Sequence, residues 1–384
     1  MHIVADENIP YVTQAFGAFG TIELVSGRDI TSAHVRSADV LLVRSVTRVD
    51  EELLGDAAVR FVGSATIGTD HIDLEYLSAE GITFAHAPGA NASSVVEYVL
   101  AALLQLCVDW DVALPSLQVA VVGCGTIGQQ LADRLQAMGV AVLRNDPPRA
   151  RAEPDGGFVS LTRCLQEADV VSLHVPLTHG GEDATHHLIG RDELEIMKPS
   201  AWLINTSRGA VVDNEALLRA RHKGRPGAVI LDVWENEPTP LSALLGQCAI
   251  GTPHIAGYST DGKVRGTKML YEALCNEMGE PLRWTTEQAL GGATPELSLA
   301  TPGDTRSLEE YLHGLTEQMY PILQDDRRMR AYLQQPSTRR ASLFRQLRKE
   351  YPGRRSFDRF AINESAVPED FRRAAASGLG IRLT

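Results

Sequence analysis

A chain of 384 residues that is 44% hydrophobic can bury more than one core, which excludes a disordered or fibrous protein and points to two or three domains. No run approaches the roughly 20 uninterrupted apolar residues that span a bilayer, and Met1–Glu7 lacks the charged start and apolar centre of a secretory leader, so a cytoplasmic protein is expected. The net charge of −13 is unevenly spread, because residues 327–384 carry 14 Lys and Arg against 5 Asp and Glu.

Up to about residue 90, short apolar runs (Ile3-Val4-Ala5, Val40–Val43, Phe61-Val62-Gly63) alternate with polar helical stretches, the pattern of a parallel α/β sheet. A long apolar helix from about Ser93 to Trp110 reads as a connector between domains. A second α/β series follows, with strands at Gln118–Val122, Val140–Leu143, Val170–Leu173, Trp202–Asn205 and Ala228–Leu231, as a doubly wound sheet requires. The pattern turns helical again near Lys263 to Gly279. Gly291, Gly292, Thr294, Pro295, Thr301, Pro302 and Gly303 then mark a linker. The basic tail is interrupted by acids and by apolar residues at helical spacing, Leu343, Phe344 and Leu347. This favours a folded, solvated or subunit-facing module over a nucleic-acid-binding arm.

Val119–Val122 runs into Gly123-Cys124-Gly125-Thr126-Ile127-Gly128, and an amphipathic helix follows from Gln129 to Met138. This is the setting in which G-x-G-x-x-G binds a dinucleotide. Gly123 permits the turn, Gly125 lets the backbone approach a pyrophosphate, and Gly128 lets helix and strand pack closely. The helix start then offers N–H groups and a positive dipole end to phosphates. Asp146 ends the next strand, about 18 residues beyond Gly128, where a carboxylate binds ribose hydroxyls and repels a 2′-phosphate. NAD is expected over NADP, although Arg144 and Arg149 stand nearby. Five cysteines (Cys107, Cys124, Cys164, Cys248, Cys275) form no CxxC pair and read as reduced thiols. Cys124, flanked by glycines, has no neighbour that would activate it.

Three later segments supply groups for oxidising an alcohol. Asn205–Asp213 places Arg208 just past a strand, where its guanidinium can grip a carboxylate through two parallel hydrogen bonds. Leu231–Pro238 supplies Glu237, and Gly251–Gly257 supplies His254, 17 residues later. A carboxylate beside an imidazole fixes its tautomer and favours its protonation, so His254 can accept a hydroxyl proton near neutral pH. Each residue alone has a plainer explanation: a loop salt bridge for Arg208, a solvated acid before Pro238 for Glu237, and a satisfied histidine at a strand end for His254. His179, His186 and His187 lack clear metal-ligand spacing, and no metal is expected.

The segments NTSRGAVVD, LDVWENEP and TPHIAG make the run from Val119 to Gly257 resemble the D-isomer-specific 2-hydroxyacid dehydrogenase family. The stretches 42–48 (LVRSVTR), 64–71 (SATIGTDH), Asp146-Pro147-Pro148 and 254–258 (HIAGY), with a C-terminal module of about 100 residues, extend the resemblance to the whole chain. It implies two doubly wound parallel-sheet domains and a C-terminal α+β dimerisation module (286–384). The first sheet domain is a flavodoxin-like substrate domain (1–92 and 258–285); the second is a Rossmann NAD domain (93–257). It implies Arg208, Glu237 and His254 as the catalytic set. Thr126, Asp146, Thr206, Ser207, Asp232 and Gly257 would join Ile127 and the motif glycines at the cofactor, and Ser45, Thr66 and Tyr258 would contact substrate. It also implies a homodimer that takes a small phosphorylated hydroxy acid, with no nucleic-acid or membrane partner. Such a substrate needs donors at both anionic ends, and Arg44, Ser45 and Arg48 are placed to serve the phosphate. His174, in Leu173-His174-Val175-Pro176, would lie near the cofactor. Two other readings stay open: a dehydrogenase of 3-phosphoglycerate or another 2-hydroxy acid, and a non-catalytic NAD-sensing protein.

Overall fold

Strands buried on both faces are continuous apolar runs, and this chain supplies enough of them for two parallel sheets. In the computed structural model, which describes residues 1–292, 294–298 and 307–384, the chain forms two compact units. Unit 1 comprises Met1–Asn91 and Ser259–Ala293; unit 2 comprises Ala92–Tyr258 and Thr294–Thr384. Thr301, Pro302 and Gly303 of the expected linker lie outside the described residues.

Unit 1 is built on β1 (His2–Asp6), β2 (Thr21–Val25), β3 (Val40–Val43), β4 (Phe61–Ser64) and β5 (Thr83–His86). The order is β2-β1-β3-β4-β5 and every pair is parallel, the flavodoxin-like arrangement. β2 and β5 are the edge strands. They are only partly buried and carry polar residues such as Glu23 and His86, so they send no continuous apolar signal. Helix Thr260–Met278 returns to this sheet and buries Val264, Leu270, Tyr271 and Leu274 against Ile3, Ala5, Leu42 and Phe61. It begins earlier than its periodicity suggests because Ser259 caps it, accepting from the Gly262 N–H at 2.9 Å, and it stops at Gly279 in the left-handed region.

Unit 2 contains β6 (Gln118–Val122), β7 (Ala141–Asn145), β8 (Val170–Leu173), β9 (Trp202–Asn205), β10 (Ala228–Leu231) and β11 (Ile250–Gly251). All are parallel, in the order β11-β10-β9-β8-β6-β7. A single bridge between Arg144 and Phe158 lies beyond β7. Counted as a strand reduced to one residue, it completes the strand order of a doubly wound nucleotide fold.

The helix expected as a connector, Ala92–Asp109, is a core element of unit 2. By length and composition it is apolar enough to cross a membrane, although Glu97 and Gln105 interrupt its apolar run. Here it is buried nearly all round, packed against helices Thr126–Ala137 and Leu308–Met319.

Residues 294–384 share the cores of unit 2 instead of forming a third body. Leu312, Leu315 and Met319 join the core around Ala92–Asp109, while Met329, Tyr332 and Phe344 join the one that contains Leu244 and Leu245. Helices Leu308–Met319, Ile322–Arg330 and Ser337–Lys349 precede a two-stranded parallel sheet, β12 (Ala361–Ile362) and β13 (Arg382–Leu383), so this module is α+β with little β. Helix Thr286–Leu290 falls in unit 1, where Trp284 and Leu290 join that core.

Candidate active site

The glycine turn has the shape that its sequence implies. Gly123 has φ 87°, which an L side chain rarely adopts. A Cβ on Gly128 would lie 1.9 Å from the Gly123 carbonyl oxygen, so only glycine lets helix Thr126–Ala137 approach this closely. A Cβ on Gly125 would meet nothing within 4 Å, so the turn is open on that side. Gly125 is the N-cap and no side chain caps the helix, leaving first-turn N–H groups at Thr126 and Ile127 for an anion.

The Asp146 carboxylate accepts from the Cys124 N–H at 2.8 Å and from the Arg149 N–H at 3.1 Å, tying the glycine turn to the end of β7 while lone pairs remain. Arg149 donates to the Cys124 carbonyl, Gln129 and Glu153, and Arg144 donates to the Gly156 carbonyl. Both arginines that kept NADP open are thus committed to protein acceptors. Thr206 Oγ1 is buried without a hydrogen-bond partner, as a group that waits for a ligand would be. Ser207, by contrast, is satisfied by Asn205 Oδ1 through both its N–H and its hydroxyl. His174 packs its backbone on the glycine turn, shares a 2.8 Å hydrogen bond with Ser172 Oγ through Nε2, and is pushed down to about 4 by burial.

The catalytic candidates come from three loops at the carboxyl end of this sheet. Asp232 ends β10 and binds the third loop. Its Oδ1 accepts from the Ile255 N–H at 2.7 Å and the Thr252 hydroxyl at 2.6 Å, its Oδ2 accepts from the Ala256 N–H at 2.9 Å, and its carbonyl accepts from the His254 N–H at 2.7 Å. Fully buried, Asp232 acts first as a scaffold, a role that the expected cofactor contact did not include. These bonds hold His254 at φ 59°, a costly conformation for a non-glycine residue.

His254 Nδ1 bonds Glu237 Oε2 at 2.8 Å, and the other Glu237 oxygen accepts from the Trp234 N–H at 3.0 Å. Burial raises the Glu237 carboxyl, but His254, the Trp234 N–H and the Arg348 charge outweigh it and hold the group below its ordinary value. His254 Nε2 has no hydrogen-bond partner among the described residues, and the ring is about one-third exposed.

Arg208 follows β9, half-buried, and its Nη1 donates to the Ser207 carbonyl at 2.9 Å. Gly209 beside it abuts Trp234, and a Cβ there would lie 1.9 Å from the Trp234 carbonyl. The Asn214 N–H donates to Glu235 Oε2 at 2.8 Å, so the loops that carry Arg208 and Glu237 are fastened side by side. The loops that carry Arg208, Glu237 and His254 are thus tied to one another in unit 2, with Gly257 and Tyr258 following His254 in the chain.

In unit 1 the expected substrate residues also follow parallel strands at their carboxyl ends. Arg44 and Ser45 come after β3, half-buried and exposed respectively. Thr66 comes after β4; its hydroxyl donates to the Gly68 carbonyl at 2.9 Å and lies 2.7 Å from Ser64 Oγ. Arg48 departs from expectation, because it is 81% exposed and bound to Asp50 at 2.6 Å, a surface ion pair. Lys263, which no motif marked, is close enough to Arg44 that repulsion adds to burial in lowering its ammonium. His186 and His187 come together with Glu235, their ligand atoms within 4.8 Å of one another, but His187 Nε2 is bonded to Glu235 Oε1 at 2.7 Å.

Residues 111–256 match the family described as D-isomer specific 2-hydroxyacid dehydrogenase, NAD binding domain, and residues 293–377 match a domain of unknown function. The erythronate-4-phosphate dehydrogenase of Salinibacter ruber is 50% identical, with 100% of this chain and 99% of that protein covered. The chain belongs to the erythronate-4-phosphate dehydrogenases. The enzyme of that name from Azotobacter vinelandii is 47% identical, with 97% of both chains covered. Among solved structures, the D-lactate dehydrogenase of Aquifex aeolicus, complexed with NAD and lactic acid, matches with a TM-score of 0.60 at 26% identity. The match covers 76% of this chain and 98% of that one. The TT0316 protein of Thermus thermophilus matches with a TM-score of 0.61 at 30% identity, over 73% and 98% respectively.

As a member of this family the chain is an NAD-dependent 2-hydroxyacid dehydrogenase with a hydroxy-acid substrate. The open glycine turn, the Asp146 carboxylate and the partnerless Thr206 hydroxyl fit NAD. About a quarter of the chain has no counterpart in the D-lactate enzyme.

Proposed function

We propose that the chain oxidises 4-phospho-D-erythronate at C2 to (R)-3-hydroxy-2-oxo-4-phosphooxybutanoate, a step in the biosynthesis of pyridoxal 5′-phosphate. Bound NAD supplies the hydride acceptor. His254 takes the hydroxyl proton at Nε2. Glu237, ionised, holds Nδ1–H and stabilises the imidazolium that forms. Arg208 grips the carboxylate and polarises C2–O through its planar fork.

What carries this reading is the 2.8 Å bond between His254 Nδ1 and Glu237, which orients the imidazole while Nε2 keeps its lone pair. Gly123, Gly125, Gly128, Thr126, Ile127 and Asp146 hold the dinucleotide, aided by Thr206, Ser207, Asp232 and Gly257. Arg44, Ser45, Thr66 and Tyr258 receive the substrate. Unit 1 is the substrate domain. Residues 93–257 bind NAD, and the C-terminal module makes a homodimer in the cytoplasm, where the five unpaired, buried thiols stay reduced. Nucleic acid and membrane are not partners.

NADH fluorescence with 4-phosphoerythronate beside 3-phosphoglycerate, D-lactate and D-glycerate tests the reaction, with a 2-oxo acid added to reoxidise retained NADH. The highest kcat/KM is expected for 4-phosphoerythronate. A higher value for 3-phosphoglycerate would replace the substrate.

A further inference from the structure

Helix Ser337–Lys349 joins the C-terminal module to the active-site loop. Leu343, Phe344 and Leu347 lie on one side of it and pack into the core that holds Leu241, Leu244 and Leu245, which fixes its rotation. Arg348, one turn beyond Phe344, is thereby carried to Tyr258. Its Nη2 donates to the Tyr258 hydroxyl at 3.1 Å, and its guanidinium carbon lies 5.7 Å from the centre of the ring. Tyr351 meets the same ring edge-on, with centroids 6.0 Å apart, and Arg354 donates to the carbonyls of Tyr258 at 3.3 Å and Ala256 at 2.7 Å. The residue four places after His254 is therefore held by the C-terminal module at its hydroxyl, ring and backbone.

Arg348 differs from the other arginines of this module that face the core. Arg354 is spent on the carbonyls of Ser94, Ala256 and Tyr258, and Arg330 on Asp326 and the carbonyls of Leu245 and Cys248. Arg348 uses one donor of five. Its Nε is closed off from solvent without an acceptor, as is that of Arg354, but Arg354 spends its remaining donors on carbonyls, whereas Arg348 has no second acceptor and no carboxylate within ion-pair distance among the described residues. Its charge nevertheless reaches Glu237. A half-buried guanidinium whose charge reaches the acid of the dyad without pairing with it, and with most of its donors unspent, carries a desolvation cost that a bound anion would offset.

We propose that Arg348, with the Tyr258 hydroxyl, is a specificity-determining receptor for the phosphomonoester end of the substrate. This rests on the phosphorylated hydroxy acid named above. A phosphate of charge about −1.5 to −2 with three acceptor oxygens matches a guanidinium fork and a phenol donor in sign and geometry. The family of unknown function that matches residues 293–377 then contributes substrate selection.

Steady-state kinetics on 4-phosphoerythronate and on erythronate test this with the wild type, Arg348→Met and Arg348→Lys. In Arg348→Met the ratio of kcat/KM for the phosphorylated over the unphosphorylated acid should fall roughly 30-fold, with the loss in KM. Arg348→Lys should recover part of it, since lysine keeps the charge without the fork, and its long stem preserves packing if the Met variant folds poorly. An active wild type whose ratio is unchanged in both variants overturns the receptor alone. Equal losses on both acids overturn it too, as does a displaced pH profile of kcat with unaltered KM, which would mean that Arg348 acts only through Glu237. A wild type inactive on 4-phosphoerythronate overturns the reaction and the receptor with it.

Discussion

At the carboxyl edge of the sheet in unit 2, Asp232 accepts three hydrogen bonds from residues 252–256 through its side chain, Gly209 abuts the Trp234 backbone, and Glu237 is held from two sides. At the same edge in unit 1, Ser45 is exposed, Arg44 is half-buried beside a second cation, and Arg48 reaches solvent. Both sheets present polar groups where open parallel sheets bind ligands, yet only unit 2 over-determines their positions. Proton transfer fails when an imidazole is misplaced by an ångström, whereas long-range attraction to an anionic substrate tolerates side-chain freedom. The tightly fastened loops suit the chemistry, and the looser edge suits long-range attraction of an anion without its final grip.

Among supporting residues, Gly209→Ala should break this contrast most strongly. Its Cβ would collide with Trp234 backbone, which cannot swing aside, so the loops of Arg208 and Glu237 must part. Turnover should drop about 100-fold while NADH titration stays near normal; a change under about threefold would mean that the contact does not set the geometry.

A smaller effect concerns stability. His174 is held near 4, so between pH 6.5 and 4 the unfolded chain takes a proton that the native state refuses, and stability falls as pH drops through that window. Glu97, raised to about 7 by burial against the opposing pull of Arg354, acts in the other direction and costs stability as pH rises from about 4.5 to 7. Each is worth roughly 3 kcal/mol at most. Urea unfolding of His174→Asn should therefore lose stability more steeply than the wild type as pH rises through 4.5–6.5, and Glu97→Gln should show the reverse tilt. Parallel pH curves for all three proteins would show that neither side chain is held as described.

The smallest effect belongs to Arg48→Ala, which removes an exposed ion pair worth at most about 1 kcal/mol. Its kcat/KM should stay within about twofold of the wild type, and a tenfold loss would restore Arg48 to the substrate's phosphate end.

Much of unit 2 was legible because its chemistry is local in the chain. The glycine turn, Asp146 and the segments around Arg208, Glu237 and His254 each sit at the end of an apolar strand, where few residue types satisfy the geometry. The scaffolding role of Asp232 was not legible, since a carboxylate after a strand looks the same whether it faces a ribose or two N–H groups and a hydroxyl of its own chain. Lys263 and Arg348 escaped for a different reason. Each is a lone cation on a helix, and only packing decides whether it meets solvent or a site. Helix Ala92–Asp109 read as a connector because the residues that bury it, Leu312, Leu315 and Met319 among them, lie some 200 positions away. Phe158 pairs through one bridge, too short for any alternating pattern.

The central claim is that the carboxylate-backed imidazole moves the proton while other residues hold the dinucleotide. His254→Ala measures it most directly, with turnover of 4-phosphoerythronate and the NADH dissociation constant read on the same preparation. Turnover should fall by about 10³-fold or more with the dissociation constant within threefold of the wild type. Turnover near the wild-type rate at neutral pH would contradict it.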